Sequence, residues 1–184
     1  VWASSAPAPK AAAARPRREM GLDELLEDMS IWDLAGQIVQ AEQADTTQDQ
    51  ISNTSLGSVF FGGHNNPGTA DAASWSRETA RLQSEALNSH GIPIFVGVDA
   101  VHGFGKMVDA TLFPHNIALG CTRNESLLWQ VGRITALEST AVGVNWGFSP
   151  CVALATDVRW GRVYEAYGQE VDLVSRLGGA VVRG

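Results

Sequence analysis

The sequence predicts an α/β protein built on a parallel sheet. Three short apolar runs, LGSVFF (56–61), IPIFVGV (92–98) and VNWGFS (144–149), alternate with stretches of helical period, the pattern of βαβ units. The first two runs stop on turn-rich or polar stretches, Gly62 to Gly68 and Asp99 to Gly105, and the third is followed by Pro150-Cys151-Val152-Ala153-Leu154 and then the polar, aromatic stretch 157–170. The middle run is continuously apolar from Ile94 to Val98, as a strand covered on both faces requires. Three strands do not close a barrel. They form an open sheet or the first part of something longer.

Residues 1–20 are rich in Ala, Pro and Ser and lack periodicity, a composition expected to be disordered. VWASSAPA resembles the tail of an export signal with its small-residue cleavage site, without a starting Met or a complete apolar segment. It favours a periplasmic or extracellular location. The folded part is expected to be 21–184, a partial domain.

Leu22, Leu25, Leu26 and Met29 make one helical stripe. Ser30 and Asp33 read as a capping box for a second helix, with Ile31, Leu34, Ala35, Ile38 and Val39 as its stripe. Asp45 to Thr54 reads as a loop with room for a short helix. The first strand, LGSVFF, has high β propensity and runs into the turn-rich GGHNNPG. Ala70 to Asn88 reads as a helix with Trp75, Leu82, Ala86 and Leu87 inward, stopped by Gly91. Asn124 is a good N-cap for a helix with Leu127, Val131, Ile134, Leu137 and Ala141 on one face, ended by Gly143. A last helix begins near Gln169 with Val171, Val174, Leu177 and Val181 on one side. The chain ends straight after this helix with no terminating signal, as if cut off, and a (β/α)₈ barrel needs about 250 residues.

Composition narrows the function. The 184 residues are 45% hydrophobic and 18% charged with a formal net charge of −7. Residues 1–18 contain four basic residues and no acid, so the remainder is more acidic than the whole. Nucleic acid and anionic membrane both need basic patches, so neither is an expected partner. No apolar run approaches the roughly 18 residues of a membrane span. Cys121 and Cys151 make no disulfide framework. GxGxxG, a complete phosphate loop and GxSxG are absent. His64, His90, His102 and His115 have no metal-ligand spacing, so neither metal nor cofactor is expected.

What remains is polar chemistry at three strand ends. Asn65 and Asn66 follow the first strand, Asp99 and His102 the second, and Asp157, Arg159, Arg162, Tyr164 and Glu165 the third, with Trp146 and Trp160 nearby. Asp99 is either a cap for the turn before Ala100 or a functional group, since ligands of parallel α/β folds collect at the carboxyl ends of strands. Carboxylate, guanidinium and indole suit a polyhydroxylated ring: Asp accepts from hydroxyls, Arg donates to them, and an aromatic face covers the CH side. Arg162 and Glu165, three apart, also suit an ion pair bracing the loop. Both uses are compatible, with Glu165 structural and Arg162 facing the ligand.

MSIWDLAGQIVQ, LGSVFFGG, GIPIFVGVDAVHG, ATLFPHNIALG and FSPCVALATDVRWGRVYEAYGQE, in that order, resemble the N-terminal part of glycoside hydrolase family 3, in its β-glucosidase and exo-β-glucan hydrolase branch. The resemblance runs from about Leu22 to Gly184. It implies the front of a (β/α)₈ barrel, which an α/β sandwich domain follows in the family, and a retaining enzyme that removes terminal β-linked glucose. It implies that Asp99, in GVDAVHG, and Arg162, in WGR, bind the non-reducing-end sugar of a β-glucoside. His102, Arg159 and Glu165 are expected to support them. The family's Lys-His pair, nucleophilic Asp and acid/base Glu fall beyond Gly184, so no catalytic carboxylate is expected in this chain. Phe104 and Lys106 stand where relatives often carry His and Asn, Trp32 and Ala35 replace a charged pair, and His64 stands where small residues are common. Two further readings are a truncated sugar-binding piece without turnover and a β-N-acetylhexosaminidase of the same family. The DVRWGRVYE loop argues against the latter.

Overall fold

The computed structural model describes residues 16–184, so the expectations for residues 1–15 lie outside the described residues. Its four strands form one sheet in the order β1-β2-β3-β4. They are β1 (Gln40–Glu42), β2 (Ser58–Phe61), β3 (Phe95–Val98) and β4 (Trp146–Gly147). The last three are the expected strands, neighbours in the expected order. β1 is an addition to the three expected strands. The stripe reading carried α2 (Ile31–Gln37) on through Val39, but the helix ends at Gln37, and Ile38 and Val39 are exposed. Three residues, Gln-Ala-Glu, are too few to show the alternation that marks a strand. The chain divides into two compact units.

The first unit holds the described residues up to Phe60 together with Ala80–Phe95. A 3₁₀ turn at Arg17–Glu19 precedes α1 (Leu22–Asp28). This turn lies within the stretch 1–20 expected to be disordered. Arg17 anchors it: its guanidinium donates to Asp28 at 2.7 Å, to Asp33 at 3.2 Å and to the His90 carbonyl at 3.2 Å. The expected Ser30–Asp33 capping box starts α2. A second, Thr47–Gln50, starts α3 (Gln48–Thr54). β1 and β2 pair in parallel, Gln40 with Ser58 and Glu42 with Phe60. Ile51, Val59, Leu82, Ala86 and Ile94 form the buried interior, the Val, Leu and Ile side chains contributing about 1.5–3 kcal/mol each. The stripes of the first two helices are only partly used: Leu22, Ile31, Trp32 and Ile38 are all exposed.

The second unit holds Phe61–Thr79 and Val96–Gly184. β3 and β4 pair in parallel, Gly97 with Trp146 and Val98 with Gly147. α4 (Ala72–Ser89) contributes its first half here. Trp75 packs at a tilt against Phe61 at 4.8 Å and edge-on against Phe104 at 5.1 Å, and all three are fully buried. The short α5 (Asn116–Cys121) is an addition to the expected elements. α6 (Glu125–Ala141), capped by Asn124 as expected, packs against α7 (Val171–Arg183). Leu119, Leu128, Val131, Tyr167, Val174 and Leu177 make the core between α5, α6 and α7. No helix of the described residues is long and apolar enough to cross a membrane.

Candidate functional site

The site lies in the second unit, where β3 ends. Val96 and Val98 are buried and Asp99 is exposed. The chain then turns sharply, Ala100 N donating to Val98 O at 3.2 Å. Asp99 makes no hydrogen bond or ion pair among the described residues, so the capping alternative finds no partner here. A cavity of about 290 Å³ opens beside it, lined by Asp99, His102, Leu112, His115, Tyr164 and Glu165 with Val101, Gly103 and Gly105. A second cavity of about 330 Å³, including Gly132, Ser139, Trp146 and Pro150, has no charged side chain in its wall. The first offers the carboxylate chemistry.

The loop after β3 fixes the floor. Phe113 N donates to His102 O at 2.8 Å, and His102 Nδ1 meets Phe113 O at 2.7 Å. A carbonyl oxygen only accepts, so Nδ1 carries the proton. The His102 and His115 rings lie 4.0 Å apart, and Tyr164 meets His115 edge-on at 4.7 Å. Tyr164 is half open to solvent. Three rings thus line one side of the cavity.

The opposite contribution comes from the segment after β4. Arg162 Nε and Nη2 donate to the two oxygens of Glu165 at 2.8 and 2.6 Å. The bidentate pair holds the Glu165 carboxyl below its usual range, Arg162 being the main cause, and raises the Arg162 guanidinium. Glu165 is nearly buried and Arg162 is mostly exposed. Arg162 does not line the cavity; it meets the wall through Glu165.

Of the expected site residues, Asp99, His102 and Glu165 come together in one wall, with Arg162 attached. Arg159 does not join them. It is exposed and forked onto Asp157, at 3.0 Å from Nε and 2.5 Å from Nη2. This adjacent pair lowers the Asp157 carboxyl and raises Arg159. Asn65 lies outside the wall, its carbonyl accepting from Lys106 Nζ at 3.2 Å. Trp146 belongs to the second cavity. His115 was missed as a wall residue. It follows Leu112-Phe113-Pro114 with no motif of its own, and only the fold of the 101–115 loop sets it over His102. Cys121 is exposed, Cys151 half-buried, and both are free thiols. Among the described residues no group of three or more His, Cys, Asp or Glu side chains could hold a metal.

Residues 25–184 match the family described as the glycosyl hydrolase family 3 N terminal domain. A lysosomal beta glucosidase of Dictyostelium discoideum is 30% identical over 91% of the chain, which spans 23% of that protein. The crystal structure of an exo-1,3/1,4-beta-glucanase from a Pseudoalteromonas species superposes with a TM-score of 0.81 at 38% identity, over 87% of this chain and 21% of that one. A family 3 beta-N-acetylglucosaminidase from Paenibacillus sp. gives a TM-score of 0.73 at 25% identity, over 84% of this chain and 30% of that one. The chain thus spans less than a third of each of these relatives. Its fold is the front of their barrel, and it belongs to glycosyl hydrolase family 3, carrying that family's N-terminal domain.

Proposed function

We propose that the protein containing this chain is a retaining exo-glycosidase that removes terminal, non-reducing β-D-glucosyl residues from β-glucosides or β-glucan oligosaccharides. In this reading the cavity beside Asp99 is part of the glucose subsite. The observation that supports it most is the Asp99 carboxylate, exposed, without a partner among the described residues, and in a cavity wall at the carboxyl end of a parallel strand. An ionised carboxylate accepts from two neighbouring hydroxyls at once, and each such charge-assisted bond contributes about 1.5–3 kcal/mol. Arg162, forked onto Glu165 through Nε and Nη2, lies outside the cavity lining and on this reading reaches a sugar hydroxyl at the cavity's edge through its Nη1 donors. The rings of His115 and Tyr164 offer apolar faces to the CH side of the sugar. Retaining chemistry needs two carboxyl groups about 5 Å apart. On this reading the nucleophilic Asp and the acid/base Glu come from the longer protein beyond Gly184.

The Paenibacillus neighbour supports a second reading, hydrolysis of N-acetyl-β-glucosaminides. Hydrolysis of aryl β-glucoside and aryl N-acetyl-β-glucosaminide by the full-length protein separates the two. A higher kcat/KM on the glucoside is expected. A higher value on the N-acetyl substrate replaces the first reading with the second, and turnover of neither leaves a binding protein.

A further inference from the structure

We propose that Glu138, which does not touch the cavity, is a positioning residue for its wall, acting through Thr111 on the loop that fixes His102. Glu138 lies on α6. Its carboxylate accepts three hydrogen bonds from one residue: Thr111 Oγ1 at 2.7 Å, and Thr111 N at 3.0 and 3.2 Å. The next residue, Leu112, is a wall residue and bridges to Gly103, also in the wall. The residue after that, Phe113, holds His102 by two bonds, one from each direction.

The order of dependence follows from these contacts. Thr111 O sits so close to Gly103 that a Cβ there would lie 2.1 Å from it. Gly103 also has φ +101°, where only glycine is unstrained. The close approach of the two loop strands thus requires glycine at 103, and the Glu138 carboxylate holds the donor groups of Thr111 in the register observed. In that register Phe113 O keeps the His102 proton on Nδ1. Nε2 of the neutral ring is then an acceptor. Released from Glu138, the loop lets His102 take either tautomer, and the wall loses the ring orientation that stacks on His115. An outer group that locks a wall residue governs geometry at the sub-ångström level, and a 1 Å misplacement can cost about 100-fold in rate.

The kinetic consequence rests on the glucosidase reading; the tautomer consequence does not. The test uses the full-length protein, its Glu138→Ala, Thr111→Val and Thr111→Ser variants, and thermal melts. Two readouts are taken: aryl β-glucoside kinetics, and the imidazole ¹⁵N signals of histidine-labelled protein with His102 assigned from His102→Asn. Glu138→Ala and Thr111→Val are expected to lower kcat/KM by about 10- to 100-fold, mainly through KM, and to move His102 from the Nδ1–H form to a tautomer mixture. Thr111→Ser keeps the hydroxyl and is expected to restore both. Folded Glu138→Ala and Thr111→Val proteins that keep wild-type kinetics and the Nδ1–H signal overturn the proposal. Should Glu138→Ala not fold, Thr111→Val decides by the same criteria. A wild-type protein inactive on glucosides overturns the functional reading, and the imidazole signal alone then judges Glu138.

Discussion

Replacing Asp33 with asparagine keeps the side-chain shape and removes one charge, and the structure places much of the first unit's entry on that charge. Oδ2 accepts from Ser30 N and Ser30 Oγ, both at 2.8 Å, and from Arg17 Nη2 at 3.2 Å. Oδ1 accepts from Ser55 Oγ at 2.6 Å. Four donors thus converge on one carboxylate, with Arg17 and Asp33 side chains only 14% and 19% exposed. An asparagine amide turns donors toward donors on one of its two sides. Bonds to charged groups contribute about 1.5–3 kcal/mol each and a cap about 1 kcal/mol. Allowing Arg17 and Ser55 to reach water, Asp33→Asn should cost about 2–4 kcal/mol. The pH dependence is a second arm. Burial works to raise the Asp33 carboxyl, but Ser55, Ser30 and Arg17 together hold it well below the usual carboxylate range. A group whose folded pKa is depressed stabilises fully above its unfolded value, about 3.9 for Asp, and loses that contribution as pH falls toward the folded value. Urea unfolding by tryptophan fluorescence should therefore separate the two proteins by about 2–4 kcal/mol near neutrality and bring them together in acid. A separation under about 0.5 kcal/mol at neutral pH, or one that is unchanged in acid, refutes the reasoning.

Two further outcomes follow from packing and burial. Gly120 in α5 lies so near Tyr167 that a Cβ would sit 1.8 Å from its carbonyl oxygen, so Gly120→Ala should lower stability by about 3 kcal/mol or more; a thermal melt checks this. His90 is buried, and neither ring nitrogen has a hydrogen-bond partner among the described residues. Burial first, and then Arg17, hold its pKa below the usual value of 6.5. The unfolded chain takes up the proton before the folded one does, so wild-type stability should fall as pH drops from about 6.5. His90→Leu should flatten that slope between about pH 5 and 7, as urea titrations at stepped pH would show.

What was legible in the sequence followed short-range rules. The Ser30–Asp33 and Asn124 caps act over three residues, and both appear as read. Asp99 was legible because a charge ends an otherwise apolar run, and such a charge has few uses other than capping or binding. The strand β1 was not, because its three residues are mostly polar and follow a helix stripe that mimics continuity. Arg17 was hidden in a low-complexity stretch, its partners Asp28 and Asp33 lying 11 and 16 residues away. Thr111 and Glu138 are 27 residues apart, and no local pattern connects them. The stripe rule also overestimated burial of the first two helices, since Ile31 and Ile38 are exposed. Arg159, adjacent to the WGR motif, was drawn out of the site by the nearer carboxylate of Asp157.

Whether Asp99 binds sugar hydroxyls is tested most directly by kcat/KM of the full-length protein and its Asp99→Ala variant on an aryl β-glucoside, with melts confirming that both are folded. Loss of one or two charge-assisted bonds of about 1.5–3 kcal/mol each, at 1.36 kcal/mol per tenfold, predicts a fall of at least about 10-fold and up to about 100-fold or more. A folded Asp99→Ala protein with near wild-type kcat/KM contradicts the assignment.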